Sequence, residues 1–163
     1  MRKDGGVADP APAHILVLYE SSRRSAAALE QAADLATRSG ARLTVVVAAI
    51  LESEHPGCCD TRAGYWNGIV RELAAADLVR ARGLLRAGTA ADFRVVSARS
   101  IPIALASEAE RCGADLVLVP SARGICRSRR VRQVQRRVRD AVVVAAGANP
   151  EPMLRPGPRT ASD

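Results

Sequence analysis

The residues most able to do chemistry form a block of arginines that follows an apolar segment. The stretch VPSARGICRSRRVRQVQRRVRD covers residues 119–140, and eight arginines fall between Arg123 and Arg139 with no acidic residue among them. The net charge of the chain is +7, so this block accounts for all of the excess positive charge. Guanidinium groups bind phosphate oxygens through paired N–H donors, so the block could hold a phosphate-bearing ligand.

Three interpretations of the block are open at this point. A helix with buried valines would carry the arginines on a solvated surface, which is the usual role of a charge run. Alternatively, Arg123, Arg127 and Arg129 could form a phosphate site in place of backbone amides, and salt would weaken it. The third interpretation is nucleic-acid binding, but no aromatic residues are interleaved for stacking, so a specific site is not expected and only nonspecific binding is credible.

No combination of side chains predicts catalysis or a metal centre. The chain has only two histidines, His14 and His55, and neither belongs to a Ser/His/Asp or Cys/His set. His55, Cys58 and Cys59 could chelate a soft metal, but without a CxxC pair the favoured interpretation is a loop with reduced thiols. One carboxylate near a possible pocket, Glu20, does not make a mechanism. We therefore expect no enzyme and no metal site.

The arginine block lies in a repeating pattern of apolar strands and helical seams. Strands are predicted at residues 14–19, 43–50, 93–98, 115–119 and 141–146. The first two lack alternation, as is typical of strands buried on both faces, whereas the third alternates and is expected nearer an edge. Ser21 or Ser22 is predicted to cap the first helix and Ser100 the third, and Gly40 and Gly113 are predicted to end these helices. Residues 52–64 are predicted to form a loop, and Ser128 to start a short helix.

This pattern predicts one α/β domain at residues 14–146, with an open five-stranded parallel sheet and helices on both faces. Residues 1–13 and 147–163 are predicted to be disordered tails, the second because it holds four prolines. No apolar run is long enough to span a membrane and no signal-peptide core is visible, so we expect a cytoplasmic protein.

Ligands of open parallel sheets bind beyond the carboxyl ends of the strands, where the strand order reverses. This rule directs attention to residues 19–22, 48–51 and 120–128. The strings around them, ILVLYESS, SGARLTVVV and ERCGADLVLVPSARG, resemble the universal stress protein family. The resemblance covers about residues 14–146. It implies a sheet of the adenine-nucleotide α-hydrolase type with strand order 3-2-1-4-5, which is commonly dimeric.

The ATP-binding branch of that family has a G-x2-G-x9-G-[ST] signature after the fourth strand, and this sequence departs from it. Pro120 stands at the first glycine and has no N–H to give. Arg123 stands at the second, with Gly124 one place late, and no further glycine occurs before Gly147. The Gly-Ser position falls on Ser128 and Arg129 if a loop deletion shortened the segment, or on Arg132 and Gln133 if the deletion follows the helix.

The adenosine side of the resemblance is partly kept. Glu20 matches the acid that contacts ribose, Ser21 replaces a small residue, and Ala48 matches a position that lines the adenine pocket. The candidate ligand-binding residues are therefore Glu20, Ser21, Ala48, Pro120, Ser121, Arg123, Gly124, Arg127 and Ser128.

These observations favour a non-enzymatic regulatory or protective stress protein whose ATP site is lost or rebuilt with arginines. We expect no resident cofactor, and ATP is the alternative, bound by Glu20 and the Arg123–Ser128 loop. A second alternative is a polyanion-binding module formed by the Arg123–Arg139 block. The fifth strand, Ala141–Ala146, is predicted to be an edge that pairs with a second copy, and further protein partners fit a regulatory role.

Overall fold

Strands and helices alternate along the whole described part of the chain. The computed structural model describes residues 11–53, 61–120 and 125–146 of the 163-residue chain. The elements are β1 (His14–Leu18), α1 (Arg23–Ser39), β2 (Arg42–Ile50), α2 (Thr61–Leu84), β3 (Asp92–Ala98), α3 (Ile101–Cys112), β4 (Leu116–Pro120), α4 (Ile125–Gln135) and β5 (Val142–Ala146). The predicted tails lie outside these residues except at positions 11–13, and so do Cys58, Cys59 and His55.

The five strands form one parallel sheet in the order β3-β2-β1-β4-β5, which confirms the predicted architecture. β1 lies in the centre and every residue of it is buried, as its unbroken apolar run requires. β3 and β5 are the two edges. The alternating pattern of β3 therefore did indicate an edge position.

Each face of the sheet is covered by two helices. Ile15 and Val17 of β1 pack in a cluster with α1 and α2, whereas Leu16 and Leu18 pack in a second cluster with α3 and α4. Successive side chains of a strand point to opposite faces, so one apolar strand fills both cores. Burial of each such side chain stabilises the fold by about 1.5–3 kcal/mol.

Local sequence signals fix several helix ends. Ser22 caps α1 and forms a reciprocal capping box with Ser25. Gly40 and Gly113 end α1 and α3 in the left-handed conformation, with φ of 70° and 64°. This conformation costs a glycine little because it has no Cβ. Ser100 stands at the N-cap of α3, as predicted, although its side chain makes no capping hydrogen bond.

Two predicted helix starts were wrong. α2 begins at Thr61, inside the segment 52–64 that was predicted to be a loop. Its first turns are held by buried Ala63 and Asn67, which an apolar seam counted from Val70 does not include. α4 begins at Ile125 rather than at Ser128, because the valine seam from which the start was predicted begins only at Val131.

None of the helices in the described ranges combines the length and the apolar character that a membrane span needs. The longest, α2, has 24 residues, but arginines and acidic residues interrupt it.

Candidate functional site

The helices that follow the adjacent strands β1 and β4 pack on opposite faces of the sheet. β1 and β4 are neighbours in the sheet, yet α1 packs on one face and α4 on the other. Such a divergence opens a crevice at the carboxyl edge, which is where open α/β sheets bind ligands. Ser121, Arg123 and Gly124, three of the candidate residues, lie outside the described residues.

An ion pair joins the two sides of this crevice. Arg130 of α4 donates from Nη1 to Oε2 of Glu20 at 2.8 Å and from Nη2 to Oε1 at 2.5 Å. One guanidinium therefore engages both carboxylate oxygens in the paired geometry that these groups prefer. Each side chain keeps 32% of its exposure, so water screens part of the attraction. The acid that matches the ribose-contacting position is thus held by the protein's own arginine.

The backbone beside Glu20 is held in an uncommon conformation. Ser21 has a φ of 52°, in the left-handed region that non-glycine residues seldom adopt. Its Oγ accepts a hydrogen bond from Nη1 of Arg80 in α2 at 3.2 Å, and the same nitrogen lies 2.8 Å from Asp77. Ser22 then caps α1. The loop from Glu20 to Ser22 is therefore fixed by contacts with α2 and α4 as well as by its own helix.

The other candidates in the described strands flank this loop. Ala48 is half-buried near the end of β2 and packs against the cluster on the α3 and α4 face. The end of β1 is bound to β2, because the Tyr19 N–H donates to the Val46 carbonyl at 2.8 Å. Pro120 ends β4 and is buried, opposite Ala146 of β5. Ala48 and Pro120 therefore lie on the two strands beside β1.

The predicted arginine and serine of the loop belong to the helix itself. Arg127 and Ser128 are the third and fourth residues of α4, which begins at Ile125. The hypothesis that a helix N-terminus at Ser128 faces the crevice is therefore corrected, because the helix starts three residues earlier.

Arg130 is the contact that sequence reasoning missed. It lies 110 positions from Glu20 along the chain, and the sequence pattern directed attention to Arg127 and Arg129 instead. The only available signal was its place one turn after Arg127 in a helix following β4.

The carboxyl end of β2 is held by a buried amide that was also missed. Asn67 of α2 has 1% exposure, accepts the Glu52 N–H at 2.8 Å and donates to the Glu52 carbonyl at 3.1 Å. The side chain thus continues the pairing pattern of a strand where β2 ends. Asn67 fixes the rim of the sheet next to the crevice.

A histidine with a perturbed pKa lies at the opposite end of the sheet. His14 starts β1, is buried, and its Nε2 lies 2.8 Å from the Thr44 hydroxyl. Burial is the main cause that lowers the pKa of His14, and the charge of Arg42 adds to it, whereas Asp115 acts in the other direction. His14 is therefore a neutral core group rather than part of the crevice.

A second buried charge is also structural. Glu108 of α3 has 4% exposure and is bound by Arg111, whose Nε donates to Oε2 at 2.8 Å and whose Nη2 contacts Oε1. Arg94 of β3 approaches the same carboxylate at 3.5 Å. This cluster ties the edge strand β3 to α3. No group of three His, Cys, Asp or Glu side chains that could hold a metal ion occurs among the described residues.

Comparison with known proteins agrees with this fold. A family model described as the universal stress protein family matches residues 13–146. No curated protein sequence gives a significant match.

Several solved structures share the fold. A protein of the universal stress protein family from Burkholderia pseudomallei is 24% identical with a TM-score of 0.66, over 83% of this chain and 96% of its own. A universal stress protein in complex with cAMP is 23% identical with a TM-score of 0.54, over 83% and 97%. One from Archaeoglobus fulgidus in complex with dAMP is 16% identical with a TM-score of 0.53, over 82% and 96%.

Proposed function

The chain belongs to the universal stress protein family, and we propose that it is a non-enzymatic regulatory or protective protein of the stress response that has lost the nucleotide site. The single observation that carries this proposal is the ion pair between Glu20 and Arg130. It occupies the carboxylate that, by resemblance to the ATP-binding branch, would receive a ribose.

Arg130 and a ribose would both bind the carboxylate of Glu20. Ribose hydroxyls would donate to the Glu20 oxygens, both of which already accept from the guanidinium. Breaking a partly exposed pair of this kind costs about 1 kcal/mol or less. The pair alone is therefore a modest obstacle, and the phosphate side must also be considered.

The phosphate side lacks the donors of the ATP-binding signature. Pro120 has no N–H, and the sequence contains no glycine between Gly124 and Gly147. Close approach of backbone amides to phosphate oxygens needs such glycines. A nucleotide would lose these contacts in addition to the ribose contact, so little binding energy remains.

The state of Glu20 also argues against turnover. A general base must reach the proton it removes. Arg130 holds both oxygens of Glu20 towards α4, using one lone pair on each and leaving a second on each, and one carboxylate in this position is not a catalytic set. Regulation through protein contacts fits this arrangement better than nucleotide hydrolysis.

The nucleotide content of the purified protein tests this proposal. Denatured wild-type protein is expected to release far less than one nucleotide per chain. Phosphate release from ATP is expected to be no faster than with Glu20→Gln, a variant that keeps the size of the side chain and removes its charge. One nucleotide per chain, or a turnover that Glu20→Gln abolishes, would contradict the proposal.

Binding of ATP or AMP is the second candidate function, favoured by the neighbours solved with cAMP and dAMP. In that case the ligand would open the ion pair, Glu20 would take the ribose, and Arg130 would turn to the phosphates together with the segment from Arg123 to Ser128, which belongs to α4 from Ile125 onwards. This candidate differs from the first in one respect: it requires saturable binding that falls when either Glu20 or Arg130 is replaced.

A further inference from the structure

Most arginines around α4 are not used by the contact with Glu20. Val134 and Val138 are buried in the core on this face of the sheet, so α4 and the turn after it lie with one side against the sheet. Among the described side chains, exposed arginines lie on the other side. We call four of them the basic surface: Arg129, Arg136, Arg137 and Arg139.

The basic surface is not neutralised by the described part of the chain. The salt bridges found there join other residues, and none includes a side chain of the basic surface. The adjacent acid, Asp140, is exposed and offsets one charge at most. Guanidinium groups keep their charge at every physiological pH. A surface of this kind attracts polyanions.

Part of the basic surface lines a concave site. A cavity of about 620 Å³ lies between the first turn of α3 and the end of α4, lined by Ser100, Pro102, Gln133, Arg136 and Arg137. The lining contains two guanidinium groups, an amide and a hydroxyl, and no carboxylate. Hydrogen-bond donors and positive charge thus converge on a space large enough for a phosphate group.

We propose that the basic surface binds the phosphate backbone of double-stranded nucleic acid without reading base sequence. Arg129 and Arg136 are seven positions apart, which corresponds to about 10 Å along a helix. The charges therefore extend beyond a single phosphate and suit a continuous backbone. Duplexes offer the highest linear charge density of nucleic acids.

The composition of the basic surface explains the choice of partner. An acidic protein partner would need apolar anchors at the centre of its interface, and the lining of the cavity offers only Pro102. Single strands bind proteins largely by stacking on aromatic rings. Tyr65 and Trp66 are on α2, which packs on the opposite face of the sheet together with Phe93, and Tyr19 is buried. The basic surface therefore offers charge and polar hydrogen bonds rather than stacking.

Fluorescence anisotropy with labelled duplexes tests the proposal. Wild-type protein is expected to bind a DNA duplex and an RNA duplex of matched length. A second duplex of unrelated base sequence should be bound with the same affinity. With about three phosphates neutralised, affinity should fall roughly 40-fold between about 50 and 200 mM salt. Unequal affinity for the two duplexes would identify the form that is bound.

The double variant R136Q/R137Q separates the effect of the basic surface on duplex binding from the effect of the net charge of the protein. We expect it to weaken duplex binding at least tenfold at low salt. The slope of the logarithm of the binding constant against the logarithm of the salt concentration should become shallower by about two. The matched control is R23Q/R24Q, which removes two exposed arginines from α1 and should change affinity far less. R129Q/R139Q is the second test if the first variant misfolds.

Three results would overturn the proposal. The first is no duplex binding by wild-type protein at low salt. The second is an equal loss of affinity in R136Q/R137Q and R23Q/R24Q. The third is displacement of the duplex by poly-glutamate at equal charge concentration, which would mean that any acidic polymer suffices and would favour an acidic protein partner.

Discussion

Ser21 is the residue where the local backbone is most unusual. Within the described residues it is the only non-glycine residue with a positive φ, and a left-handed L-residue costs about 1–2 kcal/mol. Arg80 stabilises this conformation from α2. The strain lies next to Glu20, so the loop that presents the carboxylate to Arg130 is held against a local preference of the backbone.

Replacing Ser21 tests this strain. Ser21→Val places a β-branched side chain at positive φ, so the free energy of unfolding should fall by about 1–2 kcal/mol. Ser21→Gly should leave it unchanged or raise it, because the relief of strain offsets the greater entropy of the unfolded chain. Urea denaturation measures both values. A Val variant as stable as the Gly variant would contradict this description of the loop.

His14 makes stability depend on pH. The pKa of His14 in the folded protein is lowered, by burial first and then by Arg42, while Asp115 and Asp92 oppose the shift. Below about pH 6.5 the unfolded chain takes up a proton that the folded protein resists. This contribution to the free energy of unfolding is therefore full above that pH, and it decreases as the pH falls towards the lowered pKa.

Urea denaturation at pH 7.5 and 5.5 measures this effect. The loss of stability on going to the lower pH should be smaller in His14→Gln than in wild type. His55→Gln replaces the other histidine of the chain and is the matched control. Its free energy of unfolding should fall between the two pH values by as much as that of the wild type. An equal loss in all three proteins would show that His14 titrates normally.

Single residues of the site could be predicted from sequence only where they stand at a strand end. Glu20 directly follows the apolar run of β1, so its place at the carboxyl edge followed from the rule for open sheets. The contact of Arg130 with Glu20 depends on where α4 starts and on how α4 is rotated about its axis, and packing on the sheet sets both. Asn67 was missed because a buried amide inside a helix leaves no periodic signal.

At the scale of elements, the free edge of β5 is partly covered by Gln135. The Val142 N–H donates to the Asp115 carbonyl and thus points towards β4. The backbone N–H and C=O groups of the next residue, Val143, therefore point to the free edge. There the Val143 N–H donates to Oε1 of Gln135 at 2.8 Å, and Nε2 donates to the Ala141 carbonyl at 3.2 Å. The amide therefore occupies the place of a strand residue at the start of β5.

Removing this amide should affect both stability and association. Gln135→Ala leaves the Val143 N–H and the Ala141 carbonyl without their partner, so the free energy of unfolding should fall by about 1 kcal/mol. The longer free edge should also increase self-association. Chemical denaturation and light scattering measure the two effects. Gln135→Glu keeps the acceptor alone and should give an intermediate stability. A Gln135→Ala protein as stable as wild type would contradict the proposed contact.

Strand positions were predictable because apolar runs and alternation reflect burial on two faces or one. The capping residue Ser22 and the terminal Gly40 and Gly113 have local causes and were predictable too. The starts of α2 and α4 were not, since they depend on contacts with distant segments, such as Asn67 with Glu52.

At the scale of the whole molecule, β5 offers a surface for a second copy. Val142 and Val144 are exposed at 62% and 41%. Beyond the part of the edge that Gln135 covers, the backbone N–H and C=O groups of Ala145 point outwards from the sheet edge. We propose that two chains pair through this edge, as the absence of charges in the strand suggested. Sedimentation of wild-type protein at micromolar concentration should show a dimer.

A proline at the free edge of β5 tests whether this edge forms the dimer. Ala145→Pro removes the outward N–H without touching the bonds to β4, so it should give a folded monomer. Ala145→Ser keeps the N–H and should remain dimeric. A wild-type monomer at micromolar concentration, or a dimer that survives Ala145→Pro, would contradict edge pairing.

The measurement that tests the central claim most directly is calorimetric titration of ATP into nucleotide-stripped protein, at low and physiological salt. If the nucleotide site has been lost, wild-type protein should show no saturable binding up to about 1 mM ATP, where even a weak site of about −4 kcal/mol would be half filled. Arg130→Gln and the control Arg137→Gln should behave alike. Saturable wild-type binding that Glu20→Gln or Arg130→Gln weakens, and Arg137→Gln does not, would contradict the claim and assign the crevice to a nucleotide.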